Sequence, residues 1–121
     1  AAKGADGLDG MANSLERGFT DLKAATNWIA ENALADREQA GAASYDYMTM
    51  FGTVSLGYMW LKMMTIAKAK LDAGEGNSEF LNSKMVHGNF WAQKMLPDTA
   101  SLLVKIQAGG DVLMELDASA F

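Results

Sequence analysis

Apolar residues return along this chain in alternating steps of three and four, the period of a helix that buries one stripe. From Leu8 the series Leu8, Met11, Leu15, Gly18, Leu22, Ala25 and Ile29 keeps that rhythm, while Asp9, Glu16, Asp21 and Lys23 fall away from it. This is the seam of a bundle helix. The spacing lapses in ALADREQAGAAS, where Gly41 permits a turn, so the first helix is expected to end there. A second segment runs from about Ser44 or Tyr45 to Leu71, roughly 40 Å at 1.5 Å per residue. Its seam is Tyr47, Met50, Val54, Gly57, Leu61 and Met64. Asp46, Thr49 and Thr53 share one side, whereas Ser55, Lys62, Thr65 and Asp72 gather on another. The exposed face is therefore expected to change halfway along, as in a central element that passes between two sets of neighbours.

DAGEGNS reads as a loop, with Gly74 and Gly76 free to take positive φ and Asn77 or Ser78 able to cap the third helix. Glu79 suits the first turn of that helix. Its stripe is Leu81, Met85, Gly88, Ala92 and Met95, and the small members admit a neighbouring backbone closely. Pro97 opens a fourth helix, lined by Leu102, Ile106, Gly109, Leu113 and Leu116, with a bend or break at Gly109-Gly110. A single proline and few β-branched runs complete the picture. The fold class expected is all-α, an up-and-down helical bundle of about four helices with the second long and central.

The stretch Met48 to Ala67 has the length of a membrane span, but Lys62 interrupts it, and Thr49, Thr53, Ser55 and Thr65 dilute it. No membrane span is expected; a helix apolar nearly all round needs protein on several sides instead. At 121 residues, half of them apolar, the chain suits a single helical domain, residues 1–121, with residues 1–10 a frayed terminus. The absence of cysteine fits a reducing compartment, so a cytoplasmic location is expected. A net charge of -5 argues against nucleic-acid binding. The N-terminal AAKGADGLDG has no apolar core to make a signal peptide, and without an initiator Met the chain is expected to be a fragment of something longer.

Little in the chain carries chemistry. His87 is the sole histidine, and Lys84 occupies the place where a Glu-x-x-His metal motif needs its carboxylate, so no metal site is expected. With Phe80 and Trp91 seven and four residues away, His87 is expected to pack against aromatics near a surface or interface. No G-x-G-x-x-G, P-loop or G-x-S-x-G is present, and the glycines at Gly4, Gly7 and Gly10 sit in the terminus. No catalytic residue is assigned, and Lys62, Lys68 and Lys70 read as a solvated face. The nine methionines, with Tyr45, Tyr47, Phe51, Tyr58, Trp60, Phe80, Phe90 and Trp91, either fill a core or face a partner. The candidate partner surface is Trp60, Phe90, Trp91 and His87, with Trp60 foremost.

The run SKMVHGNFWAQKMLPDTASLLVKIQAGGDVLMELDASAF resembles the extreme C-terminal region of acyl-CoA dehydrogenase-like flavoenzymes, in the acetyl-CoA dehydrogenase-like group that includes methylmercaptopropionyl-CoA dehydrogenases. Lys84, Phe90, Trp91, Leu96-Pro97, Thr99-Ala100, Gly109, Leu113-Met114 and Phe121 carry the likeness, and Ala25-Thr26-x-Trp28 and Tyr47 to Trp60 with Gly52 and Gly57 extend it. Gly88-Asn89-Phe90 departs from it, since the family often has a small residue, Arg and Phe there. The resemblance implies a parent enzyme that oxidises an acyl-CoA thioester at its α and β carbons, with a carboxylate base taking the α proton and FAD accepting hydride. The flavin-binding sheet and that carboxylate would lie upstream, so no cofactor is expected on this piece. It also implies packing on the rest of the flavoenzyme and on a neighbouring subunit of a homo-oligomer. Two other readings stay open: a stand-alone helical module binding a partner helix or acyl chain through a Met- and aromatic-rich face, and a compact enzyme that uses His87.

Overall fold

The computed structural model describes residues 7–121. Helix α1, Asp9–Ala33, keeps the expected stripe: Met11, Leu15, Gly18 and Ala25 are buried, and Leu22 and Ile29 are packed against the core. Leu8 is 2% exposed, one residue before the helix begins. The expected frayed terminus therefore fails from Leu8 onward, because burial of the seam's first member ties the chain down; residues 1–6 lie outside the described residues.

The second helix, α2, spans Arg37–Ala73, well before the expected start. Asp36 decides this boundary. Its backbone is extended, and its carboxylate accepts a hydrogen bond from the Glu38 N–H at 3.0 Å, so the helix starts at the cap and runs straight through Gly41. Gly74, at φ +70°, closes the helix in the left-handed conformation. Helix α3, Ser78–Phe90, starts at Asn77, whose side chain accepts from the Phe80 N–H at 3.1 Å.

A π-helical turn, Trp91–Met95, continues α3 and leads through Pro97 into α4, Asp98–Gln107. Proline has no N–H for the carbonyl four residues back, and its ring would strike that carbonyl. The wider turn relieves both problems: the Leu96 N–H bonds instead to Trp91 O at 2.9 Å. Gly109, at φ +77°, ends the rod. The expected lining by Leu113 and Leu116 does not extend past this point, since both side chains are exposed in the short α5, Asp111–Met114, and beyond it. A 3₁₀ turn, Ala118–Ala120, comes last.

Cross-helix partners give the directions. Leu15 meets Gly57 and Thr26 meets Tyr47, so α1 and α2 run antiparallel. Gly88 meets Met64 and Trp91 meets Thr53, so α3 runs against the C-terminal half of α2. Ala42 meets Gly110, which sets α4 against the N-terminal half. The third and fourth helices thus form one bent rod, and α2 is the central element that touches every other principal helix. At their meeting point Leu96, 2% exposed, reaches between two glycines: a Cβ at Gly18 would stand 3.3 Å from Leu96 Cδ2, and one at Gly57 3.1 Å. Those positions are glycine because a third helix needs the room.

Candidate functional site

The inner face of α2 is a continuous seam of Ala43, Met50, Val54, Gly57, Met64 and Ala67. The expected exchange of exposed faces does not occur. Asp46 and Thr53 sit half-buried at one edge of the seam, and the Thr49 and Thr53 hydroxyls donate to carbonyls one turn back, at 3.0 and 2.8 Å, so they need no water. Nor is α2 surrounded. Its outer face carries Tyr45, Met48, Leu56, Met59, Met63 and Ile66, all exposed, with Tyr45 79% and Met48 75% accessible. With Gly41 and Gly52 these residues repeat the three-and-four spacing half a turn away from the inner seam. One helix therefore bears two apolar seams, and the bundle covers only one.

Beside the outer seam an open groove of about 560 Å³ runs between α1 and α2, lined by Thr26, Ile29, Ala40, Ser44, Tyr47, Met48, Phe51 and Gly52. The Thr26 and Tyr47 hydroxyls meet at 2.7 Å in this lining. A smaller apolar hollow of about 240 Å³ lies between α2 and α3, lined by Met63, Ile66, Lys70, Phe80, Leu81 and Lys84 among others. The larger groove does not fit a flavin dinucleotide: its lining has hydroxyls but no cationic side chain, and a diphosphate seeks arginine, lysine or a fan of backbone N–H groups.

The four residues singled out from sequence divide. Trp60 and His87 come together, their ring centroids 6.1 Å apart in an edge-on arrangement, with Trp60 half-buried against the core and His87 exposed. Lys84 lies over the same patch, its Nζ 4.9 Å from the Phe80 centroid and 6.0 Å from that of Trp60. Trp91 turns inward instead, and its Nε1 donates to Thr53 O at 3.1 Å, which locks α3 to α2. Phe90 is exposed. Sequence reasoning missed the outer seam. Its signal was present: Gly41, Tyr45, Met48 and Gly52 keep helical spacing out of phase with Tyr47, Met50 and Val54.

Among the described residues no group of three or more His, Asp or Glu side chains is placed to hold a metal ion, and no helix is long and apolar enough to cross a membrane. The family described as "Acetyl-CoA dehydrogenase C-terminal like" matches residues 1–117. The chain belongs to this family. It is also similar to the broad-specificity linear acyl-CoA dehydrogenase FadE5 of Mycobacterium tuberculosis, 27% identical over 115 residues. That match takes in 88% of this chain and 19% of the relative, so the chain spans about a fifth of that protein's length. Membership agrees with the all-α architecture and with the residues from which the likeness was read, and it makes the chain a domain of the acyl-CoA dehydrogenase C-terminal type.

Proposed function

We propose that this chain is the C-terminal helical domain of a cytoplasmic, FAD-dependent acyl-CoA dehydrogenase, serving packing and subunit assembly while the flavin chemistry resides elsewhere in the parent enzyme. The observation that carries the reading is the uncovered outer seam of α2. Six large apolar side chains on one face of one helix, left in water, form a patch of the kind that interfaces bury. The family's membership in a dehydrogenase lineage and the relative's fivefold greater length supply a body for that seam to meet. Trp60, His87 and Phe90 extend the same surface toward α3, so a neighbouring subunit that reaches past α2 would contact them next.

The test uses the full-length gene product. Met59→Asp with Met63→Asp is expected to shift the assembly to a smaller species in light scattering while the protein keeps its flavin absorbance. An unchanged assembly with loss of acyl-CoA oxidation would overturn the reading, because the seam would then serve the reaction.

The groove between α1 and α2 favours a second reading, a helical module that binds a partner helix or an acyl chain. Saturable binding of a long-chain acyl-CoA, abolished by Met48→Asp and Phe51→Asp together, is its expected signature. Indifference of the affinity to those changes would remove it.

A further inference from the structure

We infer that the hollow between α2 and α3 seats a carboxylate-bearing apolar segment of the parent enzyme's remaining chain, with Lys70 and Lys84 taking up its acidic groups. This deepens the dehydrogenase reading above, on which it rests, by naming the face that meets the larger body and the chemistry of what it meets.

Three observations point to such a partner. The first is the distribution of charge. All fifteen acidic residues lie outside two runs, 47–71 and 80–97. Those runs hold Lys62, Lys68, Lys70, Lys84 and Lys94, half of the ten basic residues, together with His87. They make up most of α2 and of the rod that packs against it through Gly88 and Met64. A chain of net charge -5 thus keeps one pair of packed segments free of carboxylates, and a surface of one sign selects a partner of the other.

The second is the condition of the two lysines. Met63, Ile66 and Phe80 line the hollow and are exposed, and no residue of the lining is acidic. Lys68 is held by Asp72 at 2.9 Å, but neither Lys70 nor Lys84 has a carboxylate within ion-pair distance among the described residues. Lys84 is half-buried, and its Nζ lies over the Phe80 and Trp60 rings instead. In water both ammonium groups are hydrated. A purely apolar cover would strip that water and leave two unpaired cations, so a cover that buries Met63, Ile66 and Phe80 must bring carboxylates to the lysines.

The third is the length of chain that lies elsewhere. These residues span about a fifth of the dehydrogenase that they match, so in an enzyme of that size most of the surface available to cover the hollow comes from outside them. The groove between α1 and α2 makes the contrast: its lining has no ionic side chain, so it asks for a partner of different chemistry.

Zero-length cross-linking of the full-length protein tests this. A water-soluble carbodiimide joins an amine to a carboxylate with no spacer, so only groups already in contact are captured. Mass spectrometry of the digested product is expected to find Lys70 or Lys84 joined to an aspartate or glutamate outside the 121 residues. Links confined to carboxylates within those residues, whether of the same copy or of a second one, would give the hollow another occupant. Absence of any link at either lysine would mean that no carboxylate covers it. Either result overturns the inference. As an independent measure, Lys70→Glu with Lys84→Glu is expected to make the junction between this domain and the body at least tenfold more readily cleaved in limited proteolysis at low salt, with helix content unchanged, whereas Lys70→Arg with Lys84→Arg leaves cleavage as it was. Cleavage unaltered by the charge reversal overturns the inference too. Flavin absorbance and acyl-CoA oxidation of the untreated protein separate the two readings. Flavin and activity without an outside link sink the acidic partner alone, whereas the link in a protein without flavin sinks the dehydrogenase assignment alone.

Discussion

Gly88 shows how much a single missing side chain decides. A Cβ there would overlap the Met64 sulfur and Cγ, and Met64 is fully buried, so its side chain has no open side to swing toward. Gly88→Ala is expected to destabilise the fold by about 1–3 kcal/mol, measured by chemical denaturation, because overpacking forces side chains out of their preferred rotamers. Trp91→Phe keeps the ring but removes the Nε1 donor to Thr53 O; about 1 kcal/mol should be lost, with no change in helix content by circular dichroism. At the far end of the chain the Ser119 backbone N–H, and after it the Ser119 side chain, bond to Asp117 and hold its carboxyl below the usual carboxylate range. A depressed carboxylate pKa contributes at pH values above the unfolded one and is lost as pH falls through the folded one. The Ser119 amide chemical shift is therefore expected to follow the protonation of Asp117, with its midpoint below the usual carboxylate range, by NMR.

Among the elements, the inner seams of α1, α2 and α3 were legible in the sequence, since spacings of three and four name the same residues that the structure buries. The boundary between α1 and α2 was not. Gly41 invites a turn, but Asp36 with Gln39 three residues on forms the stronger signal, and a cap that satisfies an orphan N–H outweighs one interior glycine. Asp36→Ala is expected to cost about 1 kcal/mol and to fray the first turn of α2, seen as faster amide exchange at Glu38 and Gln39. The break expected at Gly109-Gly110 is where the fourth helix ends, at a positive φ, but Leu113 and Leu116, which continue its period, are exposed beyond it. The outer seam was missed for a related reason. A helix apolar on two opposite faces has the same composition as one buried all round, and only the structure shows which face has no neighbour. Of the candidate surface, Trp60 and His87 could be paired only in three dimensions, while the inward turn of Trp91 depends on a carbonyl 38 residues away.

For the molecule as a whole, Gln39 links regions far apart in sequence. Its Oε1 accepts from the Gly110 N–H at 2.8 Å, and its Nε2 donates to Asp111 Oδ1 at 3.2 Å, so the corner between α1 and α2 holds the start of the C-terminal segment. Gln39→Leu is expected to make residues 108–121 readily cleaved in limited proteolysis, with the protected remainder melting within a few degrees of the parent; an uncleaved tail would show that other contacts secure it. The Leu96 wedge has a different consequence. A methyl group from one rod seated in notches of the other two indexes all three against axial slippage, as a pin does in a ratchet. Motion delivered to this domain must leave it as rotation of the entire body, so a ligand that shifted one helix lengthwise would have to unseat the pin first.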